Sequence, residues 1–228
     1  MERYMLLNGV DTREYGVRVM NLPPVQVPAK RARLVQVPGR SGFLTDWDGS
    51  YEALNKIVGL FYNGAEPDYV AQRLQEAARA TFSNEPDKEY KIYPQVAGTA
   101  LARVIAKWHR FELPLVCDPL KREVSPAVVV ADTPPVVLVN PGNHKAHPTI
   151  KITGTGIVAL IVGTQTVTLT DISPGITIDG DMLECYQTDN ANNKMTGDFP
   201  VIEAGDTVEI SWTGTVSRIE IKPNWRWV

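Results

Sequence analysis

Carboxylates and imidazoles are the side chains of this sequence that could act as acids, bases or metal ligands. Asp46 and Asp48 flank Trp47, a spacing that would suit paired carboxylates for acid–base work or calcium binding. A calcium loop needs further oxygen ligands at alternate positions and a distant glutamate, and the sequence lacks them here. We therefore interpret both carboxylates as caps of a turn.

The histidines offer a second possible chemistry. His144 and His147 are three residues apart beside Asn143, but zinc sites use three or four protein ligands and no third ligand is evident. His109 follows Trp108 at the start of a strand, and no serine or cysteine motif marks a nucleophile for it. The sequence predicts no catalytic residue, no metal and no cofactor, and it indicates a protein that is not an enzyme.

Length and composition favour two folded domains. The chain has 228 residues, which exceeds a typical single domain, although one large all-β unit is the alternative. Residues 1–125 carry 17 Lys and Arg against 15 Asp and Glu, whereas residues 126–228 carry 6 against 11. Neither balance is the strongly basic one of a dedicated nucleic-acid binder. The local cluster of Lys30, Arg31, Arg33 and Arg40 is interpreted as a solvated or interface-facing loop.

The two cysteines and the lack of long apolar runs indicate where the chain matures. Cys117 and Cys185 fall in different predicted domains, so a disulfide framework is not expected and a reducing compartment is. No apolar run reaches the ~18 residues that span a bilayer, and no signal peptide is recognisable at the first residues. We expect synthesis in the cytoplasm and no membrane contact.

The stretch Val37–Tyr51 combines a tight chain reversal with aromatic and charged side chains. It contains one proline and three glycines. Proline presets φ near about −65° and glycine accepts positive φ, so the two types together favour turns. We predict a shaped loop that presents Arg40, Phe43 and Trp47 for contact.

The first domain is predicted to be α+β with one main helix. Asn8-Gly9 fits a type I′ turn between two extended segments. The helix is expected to begin at Pro67 and to continue, with apolar residues on one face, to Phe82. Residues 52–62 fit either a helix or a strand, and their β-branched and aromatic content favours a strand.

The rest of the chain is predicted to be β-structure. Residues 126–147 are rich in proline, valine and glycine and are interpreted as a linker. Residues 148–228 contain seven short apolar segments separated by turn signals, which is typical of an antiparallel β-sandwich. Asp179-Gly180 and Thr213-Gly214 are predicted to be two-residue turns between strands. The predicted fold class is mainly β, with an α+β N-terminal domain and a C-terminal sandwich.

Taken in order along the chain, these segments resemble the distal tail proteins of long, flexible-tailed bacteriophages. In the first domain the resemblance is carried by Leu7-Asn8-Gly9-Val10-Asp11, Tyr15-Gly16-Val17, Pro38-Gly39-Arg40-Ser41-Gly42, the helix to Phe82, Asn84-Glu85-Pro86, the Tyr90–Tyr93 strand and Phe111–Pro119. In the second it is carried by Asn140-Pro141-Gly142-Asn143, Pro148–Gly156 and Gly205-Asp206-Thr207 before Trp212. The order and spacing are more specific than any single motif.

The resemblance implies a hub protein. The N-terminal domain would form a homohexameric ring, with a lumen wide enough for DNA to pass without specific binding, and the C-terminal domain would be a sandwich of galectin-like form. Head-to-tail contacts close into a ring when the rotation per subunit is right. The ring would join the tail tube protein to a tail-associated baseplate protein at the tip of the virion tail. Arg40, Phe43 and Trp47 are the residues that we assign to the ring interface.

Two other functions are considered. The sandwich could be a carbohydrate-binding module for host cell-wall attachment, with Trp225 and Trp227 as a sugar platform and Asp189, Asn190 and Asn193 as polar contacts. The alternative for the two tryptophans is burial in a core. Some members of the resembled family carry an inserted carbohydrate-binding domain, and this chain is too short to hold one. An enzyme such as a wall hydrolase is the function with the least support.

Overall fold

A computed structural model of the chain describes residues 2–93, 102–105 and 108–228. The chain divides into two compact units, a first unit that extends to Val124 and a second unit, Ser125–Trp227. Each has its own hydrophobic core. None of the helices in the described residues is long and apolar enough to cross a membrane.

The first unit is built from two sheets, a hairpin and one α-helix. Its strands are β1 (Met5–Leu7), β2 (Val10–Asp11), β3 (Val17–Asn21), β4 (Lys30–Gln36), β5 (Phe43–Tyr51), β6 (Leu54–Asn63), β7 (Arg79–Phe82), β8 (Glu85–Lys91), β9 (Ala102–Ile105), β10 (Trp108–Cys117) and β11 (Lys121–Glu123). One sheet has β2, β1, β7, β8 and β11 as consecutive neighbours, the second has the order β3-β6-β10-β9, and β4 pairs with β5. The helix α1 spans Pro67–Gln75.

Strands β6 and β10 form the centre of the second sheet. Buried and outward-facing residues alternate along both strands, as the period-2 pattern of β10 predicts. They pair in one uninterrupted register, from Trp108 opposite Asn63 to Cys117 opposite Leu54. The strand interpretation of residues 52–62 is therefore confirmed, apart from its exact ends.

Helix α1 is shorter than the sequence predicts. It begins at Pro67 as expected but ends at Gln75, and the segment to Phe82 is strand β7, which lies between β1 and β8. The prediction of helix through Phe82 is wrong because a distant side chain ends the helix. The Asn8 Oδ1 atom accepts hydrogen bonds from the backbone N–H groups of Ala78 (2.9 Å) and Arg79 (3.1 Å).

Asn8 also belongs to the tight turn that the sequence predicts. Asn8 and Gly9 have φ values of 51° and 84°, which are the positive values of a type I′ turn between β1 and β2. This prediction is confirmed. One residue thus shapes a hairpin turn and redirects the chain after α1.

The second unit is an antiparallel sandwich built on two long strands. The strands of its sheet are β12 (Val129–Ala131), β13 (Val136–Val139), β14 (Thr149–Val162), β15 (Gln165–Ile172), β16 (Gly175–Asp179), β17 (Glu184–Tyr186), β18 (Met195–Thr196) and β19 (Thr207–Lys222). A further short strand, β20 (Arg226–Trp227), lies outside this sheet. Strands β14 and β19 pair along almost their whole length, with register shifts near their middles. The first half of β14 also pairs with β16 and its second half with β15.

Both halves of these long strands contribute to one core. Ile150 and Ile152 from the first half of β14 belong to the same buried cluster as Leu160 from the second half and Ile210 from β19. The two halves therefore form the two layers of a sandwich, with the core between them. The mainly β fold class, with its α+β first unit, is confirmed.

The predicted linker does not separate two domains. Residues 126–147 contain β12 and β13, which pair with opposite ends of β19. Leu138 of β13 is buried in the core of the second unit. The interpretation as a linker is wrong, because the prolines and glycines lie around two short edge strands rather than in a flexible connection.

Neither of the two predicted turns is a two-residue turn. Four residues, 180–183, connect β16 to β17, and Gly214 lies inside β19 at one of its register shifts. Gly214 has a φ of 106°, and a Cβ atom there would come 2.3 Å from the Ile157 carbonyl oxygen. The glycine is required by a β-bulge rather than by a turn.

The two cysteines are free thiols within their cores. Cys117 and Cys185 are fully buried, and burial raises the pKa of each thiol to about 11. A buried neutral thiol is a poor nucleophile at neutral pH. Both residues therefore act as small apolar side chains of the packing.

The bulge at Gly214 provides a matched test of the sandwich. Gly156, on the facing strand, has a φ of 80°, but a Cβ atom added there would have no neighbour within 4 Å. We expect Gly156→Ala to cost about 1–2 kcal/mol through backbone strain alone. Gly214→Ala adds a backbone clash and should cost at least about 3 kcal/mol. Urea unfolding of the two variants, followed by circular dichroism, checks this, and equal costs would contradict the bulge geometry.

Candidate functional site

The candidate site is the hairpin of β4 and β5. The two strands pair from Gln36 opposite Phe43 to Lys30 opposite Tyr51. Residues 37–42 form the tip, where the Arg40 N–H donates to the Val37 carbonyl oxygen at 3.1 Å. Gly39 and Gly42 have φ values of 80° and 83°, which only glycine adopts without strain. The tip is therefore a true tight reversal.

The sequence interpretation of Val37–Tyr51 as a loop is only partly right. Residues 37–42 reverse the chain, but Phe43–Tyr51 is the regular strand β5. The prediction missed this strand because residues 44–50 alternate apolar with polar types only briefly and include Asp46, Asp48 and Gly49, which are rare in strands. The pairing with β4, which no local pattern signals, determines the conformation.

One face of the hairpin is an exposed apolar stripe. Residues paired across two antiparallel strands point to the same side, so Leu34, Phe43 and Trp47 share a face with Ala32. The polar residues Gln36 and Thr45 lie on this face too, opposite Phe43 and Leu34. Leu34 is 62% exposed, Phe43 61% and Trp47 37%. A two-stranded hairpin has no layer of its own to cover such a face. We call this set, Ala32, Leu34, Phe43 and Trp47, the apolar stripe.

The other face is mixed in character. Val35 lies opposite Leu44, and Arg33 lies opposite Asp46. Leu44 is 42% exposed, and both charged residues are exposed to solvent. A cross-strand pair of opposite charges suits a solvated face. The two faces of the hairpin thus differ, and the apolar stripe is the one that needs a cover.

Local contacts fix the position of Trp47 at the base of the hairpin. Its indole Nε1–H donates to the Ser50 carbonyl oxygen at 2.7 Å. The Lys30 ammonium lies 4.1 Å from the centre of the Trp47 ring, and the Tyr51 ring meets that ring edge-on at 5.5 Å. These contacts hold a large aromatic side chain in one orientation while part of it is exposed.

Asp48 has a structural role in the same region. Its Oδ1 atom accepts hydrogen bonds from the Ser50 N–H (2.9 Å) and the Ser50 hydroxyl (2.6 Å), and these bonds lower the pKa of the Asp48 carboxyl. Asp46 lies across the ladder from Arg33. In the described residues, no group of three acidic, histidine or cysteine side chains could hold a metal ion. The carboxylate pair is therefore explained by local structure.

The hairpin is attached to the core through the segment that precedes it. The Lys56 side chain on β6 is buried, and its ammonium donates to the Pro24 carbonyl oxygen at 3.1 Å. The Asn84 amide donates to the Pro23 carbonyl oxygen at 3.0 Å. Two side-chain donors, one buried and one exposed, thus hold the segment that leads to β4.

Lys56 belongs to a cluster of polar groups inside the first unit. Its ammonium lies 4.5 Å from the centre of the Tyr90 ring, and the Tyr90 hydroxyl donates to the Glu85 carboxylate. Lys121 also donates to Glu85, at 3.0 Å. Burial lowers the pKa of Lys56, and burial followed by the bond to Glu85 raises the pKa of Tyr90. The polar groups of the cluster thus find partners within the cluster itself, as buried polar groups require.

The predicted interface residues lie on one element but not on one face. Phe43 and Trp47 are part of the apolar stripe, whereas Arg40 is exposed at the tip. Sequence reasoning missed Leu34, the most exposed of the three large side chains of the stripe. The alternation Ala32, Leu34 within an otherwise basic segment was the signal that could have identified it.

The three histidines have local packing or backbone contacts in the structure. His109 is buried on the inner side of β10, with its ring 5.8 Å from the ring of Tyr62. Burial, with Arg226 nearby, lowers the pKa of His147 to about 4, so it is neutral at physiological pH. The His144 Nδ1 atom lies 3.2 Å from the Lys145 carbonyl oxygen.

The two tryptophans proposed as a sugar platform lie largely within the second unit. Trp225 is 9% exposed and belongs to the core, and Trp227 packs against that core with part of its surface exposed. A stacking platform needs an open aromatic face, which Trp225 does not offer. The interpretation as core residues fits their positions better.

A polar groove lies elsewhere on the second unit. It has a volume of about 570 Å³, and its lining includes Lys151, Thr177, Tyr186, Asn190 and Lys194. The Lys194 ammonium donates to the Asp171 carbonyl oxygen (3.0 Å) and to the Gln187 side-chain oxygen (3.1 Å). Of the polar residues proposed for sugar contacts, Asp189 and Asn190 line this groove and Asn193 does not.

Comparison with known proteins gives one informative result. No family model and no curated protein matches the sequence. Among solved structures, the chain is similar to the SPP1 Dit (gp 19.1) protein, described as a paradigm of hub adsorption apparatus in Gram-positive infecting phages. The TM-score is 0.75 over 100% of both chains, at 14% sequence identity. The chain thus has the fold of a phage distal tail protein, and the fold that the resemblance implied is confirmed.

The buried ammonium at the base of the hairpin can be tested by an uncharged substitute of similar shape. We expect Lys56→Met to lower the free energy of unfolding of the first unit by about 1–3 kcal/mol, because the Pro24 carbonyl oxygen loses its donor. Lys91→Met, at an exposed position of β8, is the control and should have little effect. Urea unfolding measures both, and equal midpoints would contradict the role of Lys56.

Proposed function

We propose that this protein is a structural component of a long, flexible phage tail, where six copies form a hub ring between the tail tube and the baseplate or tail-tip proteins. The observation that carries the proposal is the apolar stripe on a projecting hairpin, in a chain with the full-length fold of a phage hub protein. A fold alone does not assign a function, so the stripe is the necessary second observation.

The stripe supports assembly because apolar side chains are less favourable in water than when a partner covers them. Contiguous exposed apolar groups mark interaction surfaces in soluble proteins. A stable protein interface buries ~1,200–2,000 Å² in total. One hairpin face can supply only part of that area. We infer that the hairpin lies across the neighbouring copy, in a head-to-tail contact that repeats around the ring.

The three predicted interface residues have different roles in this proposal. Phe43 and Trp47, with Leu34, supply apolar area, and Trp47 is already oriented by Lys30 and Ser50. Preorganised aromatic side chains are effective anchors because little freedom is lost on binding. Arg40, at the tip, would reach furthest and would pair with a carboxylate of the next copy.

The ring implies partners on both of its sides. We propose a tail tube protein on one side and a tail-associated baseplate protein on the other, with the assembled ring located at the tip of the virion tail after synthesis in the host cytoplasm. DNA would pass through the lumen without specific binding. The nearly balanced charge of residues 1–125 supports passage rather than tight binding, which needs many phosphate contacts.

The ring is tested by the mass of the protein in solution together with negative-stain imaging. We expect a mass six times that of the chain and rings with sixfold symmetry. Phe43→Glu should shift the protein towards monomer, because it places a charge in the apolar contact. Ile157→Glu, at a residue that is 67% exposed on the second unit, is the matched control and should leave the mass unchanged.

Two results would overturn the ring proposal. One is a wild-type protein that stays monomeric at high concentration and also fails to assemble with tail partners. The other is a Phe43→Glu protein that forms the same rings as the wild type. Circular dichroism of each variant separates loss of assembly from loss of folding.

A second candidate function is carbohydrate binding for attachment to the host cell wall. The groove on the second unit favours it, because Tyr186 offers an aromatic surface beside hydroxyl, amide and ammonium groups. Saccharide sites combine an apolar ring surface with a few placed hydrogen-bonding groups. This groove replaces Trp225 and Trp227 as the preferred place for a sugar. The galectin-like form of the second unit, which the resemblance to distal tail proteins implies, is part of the hub proposal rather than of this one.

Binding of the full-length protein to a glycan array and to purified cell wall tests the second candidate. If the groove binds sugar, Tyr186→Ala should weaken binding by about tenfold, which corresponds to about 1.4 kcal/mol. Tyr69→Ala removes an exposed tyrosine of the first unit and should have no effect. An absence of binding by the wild type, or equal binding by both variants, would exclude carbohydrate recognition in the groove.

A further inference from the structure

The outward face of the second sheet in the first unit carries arginine on both sides of an aromatic residue. Arg18 on β3 is paired with Phe61 on β6, and Phe61 is paired with Arg110 on β10. Residues paired across neighbouring strands point to the same side, so the three side chains form one row. Both arginines are exposed, and Phe61 is half-buried between them.

A second aromatic side chain extends this row. Trp108 is two residues from Arg110 on β10 and therefore points to the same face. Its ring centre lies 4.6 Å from that of Phe61, and the two ring planes are tilted by 30°. Trp108 is 41% exposed. The two rings form a small apolar platform that arginine borders on two sides.

The platform forms one wall of a concavity in the first unit that is larger than the polar groove of the second unit. This concavity has a volume of about 950 Å³, and its lining includes Arg3, Arg13, Arg18, Met20, Phe61 and Trp108. Pockets that bind a ligand combine apolar walls with a few convergent polar groups. The concavity has that composition, with guanidinium as its main polar group.

The charges at this surface are not all compensated. Arg13 is paired with Asp11 and Glu2, each at 2.6 Å, and the Arg3 guanidinium donates to the Met20 carbonyl oxygen. In the part of the chain that the structure describes, neither Arg18 nor Arg110 has an ion pair with a carboxylate. Glu112 is an acidic group on the same face of β10 as Arg110.

We propose that this surface docks an acidic segment of a partner polypeptide. A carboxylate of the segment would pair with Arg18 or Arg110, and an apolar side chain beside it would lie on the Phe61–Trp108 platform. Arginine suits this role because its planar donors bind a carboxylate through two parallel hydrogen bonds. Charge complementarity of this kind determines which partner binds and how it is oriented.

The balance of charge favours a polypeptide over a nucleic acid. Glu2 and Arg13 line the concavity, and Arg13 is paired with both Glu2 and Asp11. These carboxylates would repel a continuous row of phosphates. A polypeptide can place one or two carboxylates at the arginines and neutral groups elsewhere. A phosphodiester chain cannot, and tight binding of such a chain needs many cationic contacts.

The docking surface shares no residue with the hairpin that we assign to the ring contact. The ring is tested by the mass of the assembly rather than by peptide binding. A variant of this surface should therefore assemble like the wild type while it loses the acidic partner. A failure of one proposal leaves the other unaffected.

The test measures fluorescence anisotropy of a fluorescein-labelled octapeptide of alternating glutamate with leucine and phenylalanine, titrated with the full-length protein. The same peptide with lysine in place of glutamate and a ten-nucleotide oligothymidine are the comparison probes. We expect the acidic peptide to bind most tightly. The double variant Arg18→Gln and Arg110→Gln should weaken its binding at least about tenfold.

Two further variants make the result specific. Trp108→Ala should also weaken acidic-peptide binding by several fold, because it removes half of the aromatic platform. Arg218→Gln replaces an exposed arginine of the second unit that pairs with Glu220 at 3.2 Å, and it should bind like the wild type. Equal binding of the acidic and lysine peptides, tighter binding of the oligothymidine, or no effect of the double variant would overturn the proposal.

Discussion

A pair of antiparallel strands can satisfy its backbone hydrogen bonds but cannot bury its own side chains. This constraint applies to the candidate site of the first unit, because β4 and β5 pair with each other and with no other strand among the described residues. The sequence nevertheless places leucine, phenylalanine and tryptophan on one side of that pair. Exposed apolar groups of this kind mark interaction surfaces, and the proposed head-to-tail ring contact would cover these residues.

The remainder of the first unit holds this hairpin in place. The chain enters the hairpin through Pro23 and Pro24, whose carbonyl oxygens are bound by Asn84 and the buried Lys56. A charged group inside a protein is retained only where hydrogen bonds compensate for its desolvation. The position of the hairpin base is thus linked to the core through polar contacts, while the tip has only the local contacts of its own turn.

Sequence reasoning was most successful where a local pattern determines the structure. The start of α1 at Pro67, the Asn8-Gly9 turn and the alternation along β10 are all signalled by residues close together in the chain. The errors occur where the local conformation depends on residues that are distant in the sequence. Asn8 ends the helix before β7, β4 converts a predicted loop into β5, and Gly214 serves a bulge opposite Ile157.

The residues proposed for the ring interface show the same division. Phe43 and Trp47 could be selected from their types within a glycine-rich reversal, but Leu34 could not be added without the register of the hairpin. The paired arginines of the second sheet were not recognised at all, since Arg18, Phe61 and Arg110 are brought together only by the strand order β3-β6-β10. The full-length fold match at 14% identity indicates that the fold itself is specified by patterns of burial rather than by particular residues.

Strands β14 and β19 run through both layers of the sandwich, and this continuity has a mechanical consequence. A force that pulls on one layer is transmitted along these two strands into the other, because no loop interrupts either strand between the layers. Their ladder of cross-strand hydrogen bonds would then share the load. In the proposed position at the end of a tail, a domain that deforms as one body would pass strain on to its neighbours rather than absorb it.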